Sequence, residues 1–335
     1  MKIFVIFTAL IILLCLLTSK KVEFSLFDKF ETGGLKGIGA LLVLWGHVGD
    51  RLGVGNIQFI AGAGVSVFLI FSGFGIEKSF QINKFTKYWR KHLFAVLIPY
   101  WIVNIWNMLL NEGFEIFTYL KRALLVDRDF HWYIRYILIC YFIYWLVRLL
   151  QRFFLFSENL FLTLLWTAFG IYFIVETLFT FNPEMPFLRA RQMSAFPLGV
   201  TLSKKMPFFT NLLSKNFRKI VLLLSSLFIG ISCMGITQIP CLKENIVVGN
   251  IISLFSVVPL AIALIMFCRF TRIFISNRFV QICGKASLEI YLVQFSFLHF
   301  NNGSIKGTAI FIALLSLCTL AQYFVDRFLI NQIKK

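Results

Sequence analysis

"LKGIGALLVLWGHVGD", Leu35 to Asp50, decides what kind of molecule this is. Every residue between Lys36 and His47 is apolar or glycine. Such a run is the material of a membrane helix, yet it has a cation at one end and an imidazole at the other. A helix turns by about 100° per residue, so eleven residues bring the direction back to within about 20° and rise about 16 Å. Lys36 and His47 therefore share a face. Gly37, Gly39, Gly46 and Gly49 permit close approach by another helix or a ligand. The plainer reading is that Lys36 snorkels to one interface and His47 sits at the other.

The whole chain supports the membrane reading. Of its 335 residues, 59% are hydrophobic and only 14% charged, with a mean hydropathy of +0.82. Soluble domains are about half apolar and about a quarter charged, and a core of this size could not hide so much apolar surface from water. The expected fold is an all-α polytopic membrane protein. The net charge of +18 would suggest nucleic acid in a soluble protein. In a membrane protein it suggests basic cytoplasmic loops.

Apolar runs near 35–50, 57–76, 92–111, 131–148, 159–180, 192–203, 219–238, 246–268, 284–300 and 307–327 predict a ten-helix transmembrane core, the sixth being short. Residues 1–20 form a further N-terminal segment, either an extra helix or a signal-like segment. The extra helix fits better, because cleavage would place Lys20 and Lys21 on the outer side, and no small-x-small cleavage site is clear. Residues 21–335 then form one membrane domain. With the first core helix starting in the cytoplasm, 23 of the 33 Lys and Arg residues fall inside and ten outside. That bias puts both core termini in the cytoplasm of a multi-pass protein of a cell membrane. It explains the charge through anionic lipid, with no nucleic-acid partner. The seven cysteines form no CxxC and no zinc spacing, so no metal is expected; Cys241 is the one expected to be exposed.

Other polar groups interrupt the apolar runs. "GAGVSVFLIFSGFGIEKSF", Gly62 to Phe80, carries Ser66 and Ser72 among small residues that suit helix packing. "KFTKYWRKHLFAVLIPYWIVN", Lys84 to Asn104, runs a basic, aromatic segment into a helix with Pro99. Its cations suit anionic lipid, or Arg90, Lys91 and His92 meet a phosphate-rich ligand from the cytoplasm. "HWYIRYILICYFIYWL" places His131, Trp132 and Arg135 at the outer start of a helix. "CGKASLEIYLVQFSFLH", Cys283 to His299, holds Ser287, Glu289, Tyr291 and Gln294. Glu289 and Glu176, set in apolar runs, are expected to face the bundle interior.

Taken in order, these phrases resemble the acyltransferase-3 family of integral membrane acyltransferases over about 35–327. "KGIGALLVLWGH" matches an Arg, ten residues, then His; "VFLIFSGF" matches a phrase like FFxxSGF; "GKASLEIYLVQ" matches a G-x-x-S-x-x-I-Y-L-x-H pattern. Two positions depart. Lys36 stands where the family has Arg, keeping charge but losing the planar fork. Gln294 stands where it has His, exchanging a titratable group for a neutral one. The resemblance implies transfer of an acyl group, usually acetyl, from cytoplasmic acyl-CoA to a hydroxyl of a cell-envelope or exported polysaccharide or its lipid-linked precursor. The acyl-CoA is a donor substrate, and no permanently bound cofactor is implied. His47 is then the base or acyl carrier. Lys36, Ser72, Arg90 and Lys91 serve the donor, and Trp132, Arg135, Glu289 and Tyr291 the carbohydrate acceptor. Two alternatives stay open: a proton-coupled transporter, and a non-catalytic family member acting as a sensor or assembly partner.

Overall fold

A computed structural model describes residues 2–17, 25–126, 132–179 and 189–334. Lys20, Lys21 and His131 lie outside the described residues. The described chain is all-helical. In order it forms α1 (Lys2–Leu17), α2 (Lys29–Arg51), α3 (Gln58–Asn83), α4 (Phe94–Asn107), α5 (Trp132–Phe154), α6 (Glu158–Phe179), α7 (Ala195–Lys204), α8 (Asn216–Ile236), α9 (Ile246–Leu254), α10 (Val257–Thr271), α11 (Arg278–Lys285), α12 (Ser287–Phe297) and α13 (Ile305–Lys334). Shorter helical turns link several of these.

Among the described residues, seven helical stretches are long and apolar enough to cross a membrane: Gln58–Asn83, Tyr88–Glu112, Trp132–Phe154, Glu158–Phe179, Asn216–Ile236, Ile246–Thr271 and Ile305–Gln332. The chain is a multi-pass membrane protein. The other three expected core helices all form, but each differs from a plain span. In α2, glycines together with Lys36 and His47 lower the mean hydropathy. The short sixth helix is α7, of ten residues. The ninth is split into α11 and α12 at Ala286.

The centre of the bundle is α3. Its residues 61 to 71 are all buried, although they carry no amphipathic pattern. A helix apolar all round is one surrounded on all sides. α2 and α7 lie against it along most of their length. Both contacts depend on glycine. A Cβ at Gly199 would overlap the carbonyl of Ile70, and one at Gly73 the carbonyl of Phe196, so α3 and α7 meet backbone to backbone. α2 is gripped on a second side by α11 and on a third by α12. α1 packs on α2 through a stacked Phe4–Trp45 pair at 5.5 Å and a hydrogen bond from Trp45 Nε1 to Thr8 Oγ1.

At one end, four helix termini converge on a charged cluster. Glu77 of α3 is completely buried and accepts from Arg148 Nη2 at 2.5 Å and from the Tyr144 hydroxyl at 2.7 Å, both on α5. Lys204 of α7 bridges Glu77 at 3.4 Å and Glu158 of α6 at 2.7 Å. The Arg148 guanidinium lies 3.5 Å from the centroid of Phe161. Also at this end, Arg269 of α10 pairs with the buried Glu31 of α2. We refer to it as the basic end, because Lys78, Arg90, Lys91, Arg152 and Lys205 also gather there. At the opposite end Arg122 pairs with Glu112 at 2.8 Å and Arg189 with Glu176 at 3.7 Å.

Candidate functional site

Lys36 and His47 are placed by one helix. Asp28 caps α2, its Oδ1 accepting from the Glu31 N–H at 2.7 Å, and 23 residues then run without a break. The shared face follows from that regularity. Lys36 is half-buried within the bundle and makes no ion pair or hydrogen bond among the described residues. A lysine inside an apolar bundle is normally paired or reaches water; this one has no partner among the described residues and keeps part of its surface open.

His47 lies towards the opposite end, also half-buried. Its ring packs on Phe295 of α12, with centroids 5.0 Å apart, and Gln294 of α12 is its polar neighbour. His47 Nδ1 and Gln294 Oε1 are both buried without a hydrogen-bond partner. Gln294 is itself fixed, since its Nε2 donates to the Tyr291 carbonyl at 3.0 Å. Buried polar atoms are nearly always satisfied, and a neutral imidazole carries one N–H and one bare nitrogen, so His47 beside Gln294 marks a place for a group that can both give and take a hydrogen bond. A substrate hydroxyl is such a group.

An aromatic wall continues from there. Phe295 contacts Tyr291 at 5.5 Å, and Tyr291 contacts Tyr133 of α5 at 5.3 Å. Ser72 of α3 is half-buried between the hydroxyls of Tyr133 and Tyr141. Trp132 packs edge-on to Tyr133 and Tyr136. The structure therefore brings His47, Tyr291, Ser72 and Trp132 around one set of rings, with Lys36 on the same face of α2 as His47.

Four expected residues stand elsewhere. Arg90 and Lys91 are exposed at the basic end, where Lys91 Nζ donates to Ser79 Oγ at 2.8 Å. Glu289 is buried in the interior, as its apolar surroundings in sequence implied. It neighbours Asp326 and Arg327 of α13, not the His47 rings. Arg135 lines a separate cleft near Glu176 at the opposite end. His92 is a packing residue, its ring 5.0 Å from Tyr88 and 5.6 Å from Tyr141.

Some polar residues escaped the sequence reading. Glu77 lies in sequence among the small residues that suit helix packing. An acid one turn before a basic loop was the available signal. Asp326 is fully buried, held by Gln322 at 2.7 Å, with Oδ2 unpartnered. Asn104 of α4 is fully buried with neither side-chain polar atom satisfied. Gln192 accepts from Ser66 at 2.6 Å and donates to the Gly62 carbonyl, tying the segment before α7 to α3.

Against known proteins, a family model of the acyltransferase-3 type, described as an acyltransferase domain, matches residues 33–325. No curated protein and no solved structure matches the chain.

Proposed function

The chain belongs to the acyltransferase-3 family, and from that premise we propose that it moves an acetyl group from cytoplasmic acetyl-CoA to a hydroxyl of a cell-envelope polysaccharide or its lipid-linked precursor. The observation that carries this reading is the pair on α2. A lysine without an ion partner among the described residues and an imidazole with an open Nδ1 sit on one face, about 16 Å apart along the axis. Extended pantetheine has comparable reach. A donor held at Lys36 would present its thioester carbonyl near His47.

In this orientation the basic end faces the cytoplasm and His47 the outer side, as the loop charges require. His47 takes the proton of the acceptor hydroxyl as its oxygen attacks the thioester carbonyl. The new C–O bond forms, the C–S bond breaks, and the proton passes to the departing thiolate. A variant course has His47 attack first and carry the acetyl group. Lys36 binds negative charge on the donor as a point charge. Ser72 and the tyrosines around it line the space between. Arg90 and Lys91, exposed at the cytoplasmic rim, serve as the first contact for CoA phosphates.

Membranes containing the protein, given acetyl-CoA labelled in the acetyl group, test the proposal. Label is expected in polysaccharide, with release of free CoA thiol; no thioester consumption would overturn acyl transfer. The same readout separates a proton-coupled carrier, the second reading, which Glu289 and Asp326, buried together, favour.

Lys36→Met is expected to raise KM for acetyl-CoA about 10- to 100-fold, the worth of one charged contact of about 1.5–3 kcal/mol. The effect on kcat should be smaller, and Lys36→Arg should restore binding. Unchanged KM in the methionine variant would return Lys36 to the role of a snorkelling lysine.

A further inference from the structure

The span Ile246–Thr271 is one apolar stretch but two helices. α9 ends at Leu254 and α10 begins at Val257, so a helix start lies within the bundle. The first N–H groups of a helix have no partner inside it, and they carry the positive end of its dipole. The Ser256 hydroxyl does not cap them; it donates to the Ser253 carbonyl at 2.7 Å.

A guanidinium stands beside this start. A Cβ at Gly62 of α3 would lie 2.9 Å from Val257 Cγ1 and 3.5 Å from Arg191 Cζ. Arg191 is half-buried, and its Nε is fully buried without a partner. Its two terminal nitrogens make no hydrogen bond or ion pair among the described residues either, but they keep open surface. The group is rooted in the bundle with its tip uncovered. Glu176, the carboxylate within reach of the same segment, pairs with Arg189 at 3.7 Å. A charge held among membrane helices is expensive without a partner, and here the helix dipole adds to the charge instead of offsetting it. The buried face of α9, formed by Gly249, Asn250 and Ser253, packs on residues 190–192. Asn250 on that face is 1% exposed, and its Oδ1 has no partner.

The depth of Arg191 identifies the class of anion. The 26 residues of α3 span about 39 Å, close to the roughly 40–45 Å of a bilayer with its headgroups. Gly62 is four residues, about 6 Å, from the end of α3 opposite the basic one. That is the boundary between hydrocarbon and headgroups, where lipid phosphates lie. On the side of α9 away from Asn250, Val247, Ile251 and Phe255 are exposed as lipid-facing residues. Only a phosphate has to reach the protein; its chains can stay in the bilayer. A guanidinium with uncovered N–H groups grips a phosphate bidentately, and helix starts favour the same group. Asn250 Oδ1 can accept from a P–O–H or from a hydroxyl beside the phosphate.

We propose that Arg191 and the start of α10 bind the phosphate of a lipid in the leaflet at this end. The lipid is a bilayer phospholipid or a prenyl-linked phosphate. The site is level with His47: Gly46 of α2 packs on Ala61, the residue before Gly62. A lipid-linked molecule anchored here is held at the depth of the imidazole. The binding itself does not rest on the acyl-transfer reading.

The test is melting of the purified full chain, delipidated in a non-ionic detergent, with no acetyl-CoA present. The additions are phosphatidylglycerol, farnesyl phosphate, diacylglycerol, farnesol and inorganic phosphate. A phosphate-bearing lipid at ten times its Kd is expected to raise the midpoint by about 2–4 °C, with no rise for diacylglycerol or farnesol. A response to phosphatidylglycerol supports a bilayer phospholipid as occupant, and one to farnesyl phosphate alone supports a prenyl-linked molecule. No rise with either overturns the proposal, as does an equal rise with the uncharged lipids. An equal rise with inorganic phosphate overturns the lipid as its source. Arg191→Gln is expected to abolish the rise and, because the guanidinium has no partner to lose, to leave the lipid-free midpoint no lower. A rise that survives in this variant overturns the assignment to Arg191. The wild-type series decides even where the variant folds poorly. Because no acetyl-CoA is present, failure here leaves the acyl-transfer reading standing, and failure of acetyl transfer leaves this site standing.

Discussion

His47→Ala is expected to leave polysaccharide acetylation about 100- to 10,000-fold below wild type, the range lost with a general base. Protein level should be normal. The imidazole supports the fold through one ring contact, with Phe295 at 5.0 Å, and its Nδ1 supports nothing. Its removal subtracts chemistry and little packing. His47→Gln sharpens the result: it can still hydrogen-bond a hydroxyl but cannot take its proton, so it should be as inactive as alanine. Acetyl content read by NMR of the isolated polymer is the measurement. Full acetylation in either variant would remove His47 from the reaction.

The largest expected effect on stability lies at the other end of the bundle. Arg148→Met strands Glu77, which has no exposed surface, with Lys204 at 3.4 Å as its remaining cation. Breaking one side of a buried pair costs about 3–5 kcal/mol, or a fall of roughly 6–10 °C in melting midpoint. The guanidinium also covers the Phe161 ring and bridges to Glu158 at 3.0 Å, so the upper part of that range is expected. Glu77→Gln combined with Arg148→Met should recover much of the loss, because the uncompensated charge is then gone. A double variant as unstable as Arg148→Met would mean that the cluster does not act as a pair. Both are read by melting in detergent.

How far the sequence could be read depends on the range of each interaction. The Lys36–His47 relation was legible because it lies within one helix, where spacing alone gives direction. The long apolar helices were legible for a similar reason: membrane thickness sets helix length. The Glu77–Arg148 contact joins residues 71 apart, and no local pattern contains it. Arg148 could be counted on a side but not given a partner. The division between α9 and α10 was partly visible. Pro259 lies three residues into α10, where it cannot continue a preceding helix. Ser253 and Ser256 turn back onto the carbonyls of Asn250 and Ser253 at the break. The exposed Cys241 is as the sequence reading had it. Glu289 was expected inside and is inside, but its neighbour is a carboxyl on α13. Which inward direction a buried acid faces is a tertiary fact.

α8 has a different standing from the helices around α2. It leans on α10 where Gly230 meets Leu260 and the Ser256 carbonyl, while Phe217, Leu224, Phe228 and Ile231 all point away from the protein. Those outward positions are under a compositional demand, to be soluble in hydrocarbon, and not a positional one. Exchange among leucine, valine and phenylalanine there is free in a way that no exchange along α3 can be. The same face is a place for a reporter: a probe at Phe228, 73% exposed, would travel in the acyl chains of the bilayer and sense its thickness and fluidity without entering the space where the acetyl group moves.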